Sequence, residues 1–168
     1  MLKKLAIVLI CSLPLSLMAE DTKLGHVNSQ EILSLMPERV AIEKTINDLQ
    51  SQWEKELVKM REEYTTKIKE YQEKQATMPE SIKTARQSEL GEIEQRITTF
   101  NQTASADLQK KNQELFTPVV EKVKKAINEV ASENKYLYIF DLGTQSIIYQ
   151  SPTSNDITPL VKKKLGLK

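Results

Sequence analysis

The sequence is poor in the residues that most enzyme sites need. It contains one cysteine, Cys11, and one histidine, His26, so it offers no Cys/His metal set and no obvious histidine-based catalytic triad. Its 4 glycines are scattered, which excludes a glycine-rich phosphate loop. Its acidic residues interleave with Lys and Arg at helical spacing, which is typical of solvated helix faces. We therefore predict no enzymatic activity, no cofactor and no bound metal.

A strong net charge is also absent. The chain has 24 Lys+Arg and 23 Asp+Glu, a formal net charge of +1. Without an excess of basic residues there is no electrostatic argument for a nucleic-acid partner, and contact with a membrane stays undecided.

The N-terminus has the order of a secretory signal peptide. Lys3 and Lys4 precede an apolar run at 5–13, and the small residue Ala19 follows. That run is far shorter than the roughly 20 residues of a membrane-spanning helix. We expect residues 1–19 to be removed on export, and Cys11 with them, so that the exported chain contains no disulfide.

The chain after residue 19 begins with a short strand and a long helical region. Residues 20–37 contain a strand candidate at 23–27 and a short helix, with Asn28 as N-cap and Glu31 completing a capping box. Residues 38–134 have the Glu-, Lys-, Gln- and Ala-rich composition of long helices. The expected fold class is α+β, mainly α.

The third part, residues 135–168, concentrates the aromatic and β-branched residues. The runs YLYIF and SIIYQ predict two strands of a β-hairpin, with Gly143 in the turn at a positive φ. A last helix is expected to start at Thr158 as N-cap, with Pro159 in its first turn, and to stop at Gly166.

The apolar residues of the central part form two helical stripes that mirror each other. They recur every three or four residues on both sides of Pro79, and facing pairs such as Tyr64 and Ile93 are centred between Met78 and Pro79. A single kinked helix has no reason to show this symmetry, so the pattern predicts an antiparallel helical hairpin with its bend at 77–80. The predicted seam consists of Ile42, Ile46, Leu49, Trp53, Leu57, Met60, Tyr64, Ile93, Ile97, Phe100, Ala104, Leu108 and Leu115.

The predicted hairpin resembles an arm that projects from a body. A helix over 38–77 would be about 60 Å long at 1.5 Å per residue, and two such helices have one seam and no third layer. Near the tip of the arm, at Met78 and Pro79, the facing residues no longer form apolar pairs. Tyr71, for example, faces Arg86. We predict that the distal third is the mobile end, since few apolar contacts hold it.

The strands of one chain are too few to close a barrel and leave open edges. Pairing of strands between subunits of a cyclic oligomer would cover those edges. We expect Tyr136, Tyr138 and Phe140 to share the buried face of the sheet, and His26 to have a structural role. The residues predicted to form the body of the oligomer are Leu24, Val27, Tyr136, Tyr138, Phe140, Ile147 and Tyr149.

Several segments together resemble the Skp/OmpH family of periplasmic chaperones. They are VNSQEIL after the first strand, the long Lys/Glu-rich hairpin, and YIFD followed by SIIYQSPTSNDITPLVKKKL, and they cover essentially the whole chain after residue 19. The resemblance implies a homotrimer whose β body is built from strands of all three subunits and whose three helical arms enclose a cavity. It also implies ATP-independent holding of unfolded outer-membrane β-barrel proteins in the periplasm. The near-neutral charge is a departure, because a basic character would suit attraction to acidic clients.

Two other functions stay open at this point. The chain could be a periplasmic trimeric coiled-coil scaffold or adaptor, which would not bind unrelated unfolded proteins. It could also be an envelope enzyme, for which a pocket with two carboxyl groups of raised pKa would be the indication.

Overall fold

The computed structural model describes residues 22–167, so the predicted signal peptide lies outside the described residues. The long helices and small set of strands confirm the mainly α, α+β fold class. Within residues 22–167, none of the helices combines the length and the apolar composition of a membrane-spanning segment. The elements are β1 (Leu24–Val27), α1 (Ser29–Leu35), α2 (Glu38–Lys74), α3 (Glu80–Glu133), β2 (Tyr138–Asp141), a 3-10 turn (Leu142–Thr144), β3 (Asn155–Asp156) and α4 (Thr158–Leu165).

Helices α2 and α3 form the predicted antiparallel hairpin. The chain leaves α2 after Lys74 and enters α3 through Pro79, whose ψ of 146° is not helical. Proline suits this position because the first N–H groups of a helix have no intrahelical partner to lose. Helix α2 has 37 residues, about 55 Å at 1.5 Å per residue, whereas α3 has 54 and continues past the start of α2.

The part of α3 that follows Pro118 joins β1, α1, β2, β3 and α4 in one unit, which we call the body. Pro118 lies inside α3 and removes one backbone hydrogen bond just before this stretch. Beyond it, one face of α3 packs against α1 and α4, and its buried residues share the core with Val27 of β1. The buried core consists of Val27, Ile32, Met36, Ile42, Val119, Val123, Ala126, Val130, Ile157 and Val161.

The helix caps of the body differ in part from the sequence prediction. Asn28 caps α1 as predicted, since its Oδ1 accepts a hydrogen bond from the Glu31 backbone N–H at 3.0 Å. The second half of the capping box does not form, because the Glu31 carboxylate pairs with Lys162 and the Asn28 N–H donates to Thr158 Oγ1 at 3.0 Å. Ile157, not Thr158, is the N-cap of α4. The polar groups expected to act locally therefore join α1 to α4.

The sheet has a topology that the sequence analysis did not predict. Strand β1 is central, and both β2 and β3 pair with it in parallel, with Leu24 opposite Tyr138 and Gly25 opposite Asn155. The predicted β-hairpin is wrong: SIIYQ forms no strand, and Ile148 within it is fully exposed.

Asp141 explains why the chain does not turn back along β2. Its carboxylate accepts hydrogen bonds from the Ser29 N–H at 3.1 Å, the Ser29 hydroxyl at 2.6 Å and the Gly143 N–H at 2.8 Å. These bonds fix the end of β2 to the start of α1. The positive φ in this turn belongs to Gln145 and not, as predicted, to Gly143. Gly143 is needed for another reason, because a Cβ there would lie 2.8 Å from Gln30 N and from Ser29 Oγ.

The aromatic face of β2 points away from the core of the chain. Tyr138 and Phe140 are 62% and 44% exposed and stack on each other with ring centroids 6.4 Å apart. Ile139 between them packs against the core, because successive residues of a strand face opposite sides. The expectation that these two aromatic rings are buried within the chain is wrong.

Candidate functional site

The predicted seam lies along the arm, which we define as α2 together with α3 up to Pro118. Ile42 and Ile93 are buried, with exposed fractions of 6% and 3%. The other eleven seam residues, including Trp53, are half-buried. Two helices without a third layer cannot cover both flanks of their seam, so a strip of partly exposed apolar side chains follows the arm for most of its length.

Polar bonds between α2 and α3 show the register of the arm. Each of them joins residues whose midpoint lies at 78–80, close to the predicted centre between Met78 and Pro79. Their partners are Tyr64 and Glu94, Lys67 and Glu89 (2.5 Å), Arg96 and Glu63 (2.8 Å), Gln87 and Tyr71 (2.7 Å), and Lys122 and Glu38 (2.5 Å).

Charged and hydrogen-bonding side chains join the two helices in the distal third of the arm. Glu89 accepts hydrogen bonds from Lys67 at 2.5 Å and from Arg86 at 2.6 Å. These two bonds, that of Lys67 first, hold the pKa of Glu89 below its ordinary value of 4.5. Sequence analysis found the loss of apolar pairs here but not this network. The mobility of the distal third stays a prediction.

Acid is expected to loosen the distal arm. Because the pKa of Glu89 is lowered in the folded chain, its contribution to stability is complete above pH 4.5 and is lost as the pH falls through the lowered value. Hydrogen exchange over residues 66–91, corrected for the intrinsic effect of pH, should therefore speed up between about pH 6 and pH 3. Glu89→Gln should exchange faster already at pH 6 and change less with acid.

Glu73→Gln is the matched control for this experiment. Glu73 is an exposed acidic residue of the same segment and makes no ion pair within residues 22–167. Its variant should keep the acid response of the parent chain. If Glu89→Gln and Glu73→Gln respond to acid equally, the Glu89 network does not hold the distal arm.

An ion pair between Lys122 and Glu38 joins the root of the arm to the body. Lys122 Nζ lies 2.5 Å from Glu38 Oε1, and this bond is the main reason that the pKa of Glu38 is lowered. Lys122 follows Pro118, so the pair joins the first turn of α2 to the part of α3 that lies in the body. The second carboxylate oxygen of Glu38 is buried without a hydrogen-bond partner.

Most of the predicted body residues surround one apolar surface. Val27 is buried in the core and Tyr136 packs against it, whereas Tyr138 is exposed beside the open edge of β2. The remaining predicted residues line a pocket of about 320 Å³ next to the sheet: Leu24, Phe140, Ile147 and Tyr149. Ile148, which the sequence analysis did not select, lies between Ile147 and Tyr149 in the sequence and is fully exposed.

His26 joins β1 to the segment around β3. It is 9% exposed, and its Nδ1 lies 3.1 Å from Ser154 Oγ. Its Nε2 lies 3.8 Å from Asp156 Oδ1, which is beyond hydrogen-bond range. That carboxylate accepts the Thr158 N–H at 2.8 Å instead, as part of the start of α4. Among residues 22–167, no group of three or more His, Cys, Asp and Glu side chains could hold a metal ion.

A cleft of about 450 Å³ lies between α1 and the root of the arm. Leu33, Ile42, Ile46 and Phe116 contribute apolar surface to it, and side-chain amides from three helices lie around it. Sequence analysis selected Ile42 and Ile46 as seam residues but missed the cleft. No local pattern could have revealed it, because its walls come from residues 30–47 and 112–116, which are at least 65 residues apart in the chain.

The chain is similar to known proteins in sequence and in fold. Residues 23–165 match the family model described as outer membrane protein (OmpH-like). A crystal structure from Caulobacter crescentus, described as a candidate outer membrane chaperone (OmpH-like), superposes with a TM-score of 0.70. The two chains are 16% identical, and the match covers 84% of this chain and 82% of the other, so the likeness concerns the fold. No curated protein matches significantly in sequence.

Proposed function

The chain belongs to the OmpH-like family of outer membrane proteins, and from this premise we propose that it is an ATP-independent holdase chaperone of the periplasm. Its clients are unfolded outer-membrane β-barrel proteins, which it keeps from aggregating. The description of the Caulobacter crescentus protein as a candidate outer membrane chaperone supports the proposal.

The observation that carries this function is the half-covered seam. Eleven apolar seam residues are partly exposed along an arm about 55 Å long. An unfolded barrel strand alternates apolar and polar residues and has no stable partner in water. Many weak contacts along an arm hold such a chain by avidity without fixing one conformation, so the client stays competent to fold.

Purified chain without residues 1–19 is expected to suppress the light scattering of a denatured outer-membrane β-barrel protein diluted into buffer. ATP should change nothing, because the chain has no glycine-rich phosphate loop. A periplasmic scaffold or adaptor would bind selected folded partners and leave this scattering unchanged. Lack of protection for several unrelated barrel clients would contradict the chaperone function.

The proposed assembly is a homotrimer held together by the body. The open edge of β2, the exposed Tyr138 and Phe140 rings and the apolar pocket beside them support it. An exposed edge with an aromatic face is an aggregation hazard unless another chain covers it. Three arms on one body would then surround a shared cavity.

Truncation and arm deletion are expected to have opposite effects on this assembly. A chain ending at Glu133 lacks β2, β3 and α4, so light scattering or sedimentation should find a helical monomer or an aggregate. Deletion of 66–91, the distal arm, should leave the oligomer intact. If the arm deletion dissociates the protein and the truncation does not, the subunits associate through the arms.

A further inference from the structure

We propose that the cleft between α1 and the root of the arm binds an extended, uncharged polypeptide segment. Apolar side chains of the segment contact the floor of the cleft, and side-chain amides of the cleft hold the backbone of the segment. This inference rests on the proposed function, because the segment belongs to the client. It adds to the diffuse contacts of the arm one defined binding site.

The floor of the cleft suits the spacing of an extended strand. Ile42 and Ile46 lie one helical turn apart, about 6 Å along α2 at 1.5 Å per residue. Side chains on the same face of a strand recur about every 6.8 Å, at 3.4 Å per residue. Two successive apolar residues of a barrel strand laid along α2 therefore match the half-buried Ile46 and the small exposed part of Ile42. Ile42 also belongs to the buried core, which keeps the floor in place.

The rim of the cleft carries solvent-exposed side-chain amides that make no hydrogen bond within the described part of the chain. Gln30 of α1, Asn47 of α2 and Asn112 of α3 line the cleft, and within residues 22–167 none of their side-chain amides makes a hydrogen bond. Four of the seven asparagines, Asn28, Asn101, Asn134 and Asn155, do bond within the chain. Two of the other three therefore lie around one cavity. Each amide offers donors and an acceptor, which match the N–H and C=O groups of an extended backbone.

The charges of the cleft favour a neutral occupant. Arg39 and Glu43 line it and pair with each other at 2.6 Å between Arg39 Nε and Glu43 Oε1. No other charged side chain among the described residues lines the cleft. A phosphate group or an acidic or basic tail would find no free charge to bind. A peptide in which apolar and hydroxyl-bearing residues alternate needs no such charge and therefore suits the cleft. The volume of about 450 Å³ lies in the range of pockets that bind small ligands, about 300–1,000 Å³.

The test is the binding of a short fluorescent peptide in which Val and Tyr alternate with Ser and Thr. It is measured by anisotropy with the intact chain and with Asn47→Ala/Asn112→Ala. Loss of two amide contacts should weaken the affinity about fivefold or more, since each hydrogen bond contributes about 0.5–1.5 kcal/mol. Asn128→Ala is the matched control, because Asn128 is the third asparagine without an internal bond and lies outside the cleft. It should bind like the parent chain.

Equal affinity of the double variant and the control, or no saturable binding of the peptide at all, would overturn this inference. It would also be overturned if the double variant changed the oligomeric state, since the cleft would then be a contact between copies. Protection of clients from aggregation is scored separately on the parent chain. If the parent chain protects clients and the double variant still binds the peptide normally, the inference about the cleft is refuted and the proposed function is not. A parent chain that protects no client refutes the proposed function.

Discussion

Replacing Ile32 with alanine is expected to lower the free energy of unfolding by about 2–5 kcal/mol. Ile32 is 0% exposed and lies on α1 within the core that also contains residues of α2, α3 and α4. The smaller side chain removes apolar contacts and leaves a cavity that these helices cannot fill without moving. Chemical denaturation followed by circular dichroism measures the change.

Val40→Ala is the control for this substitution. Val40 is 72% exposed on α2, so its truncation should change stability by less than about 0.5 kcal/mol. Trp53→Ala should cost less than the roughly 3–5 kcal/mol of a fully buried ring, because the seam around Trp53 is half covered. If Ile32→Ala costs no more than Val40→Ala, the core of the body does not hold α1 in place.

The hairpin could be predicted from the sequence because its signals are local and repeated. The apolar residues around Tyr64 and Ile93 keep helical spacing over many turns, and the two stripes mirror each other about Pro79, where the second helix begins. A single residue that departs from the spacing does not hide such a pattern, because many other residues keep it. The caps at Asn28 and Gly166 could be predicted for the same reason, since each depends on a few neighbouring residues.

The sheet could not be predicted because its pairing depends on contacts distant in the chain. Leu24 pairs with Tyr138, although the whole arm separates the two residues in the sequence. The propensities of SIIYQ favour a strand, but the Asp141 carboxylate bonds to Ser29 and directs the chain elsewhere. Strand propensity is weak against such tertiary contacts.

The candidate surfaces were predictable to different degrees. The seam stays a prediction: its thirteen residues follow the helical period, and each of them is buried or half-buried in the structure. The bonds of Glu89 were missed because the choice between Lys67 and a neighbouring cation depends on a register exact to one residue. The cleft was missed because Gln30, Asn47 and Asn112 come together only when three helices pack.

Shortening the arm is expected to reduce protection of large clients while the oligomer survives. Deleting 57–67 from α2 and 90–100 from α3 removes one 11-residue repeat from each helix and keeps both stripes in phase. Each arm becomes about 16 Å shorter at 1.5 Å per residue. The remaining seam residues stay paired, because the two deletions lie opposite each other about the midpoint next to Pro79.

The most direct test of enclosure by the arms is the light scattering of denatured barrel proteins in the presence of this shortened chain. One client is small and one is large, and the sedimentation of the variant is checked first to establish that it assembles like the parent. We predict that the shortened assembly protects the small client nearly as well as the parent does and the large client much less well. Equal protection of both clients by the parent and the shortened assembly would contradict enclosure as the mechanism.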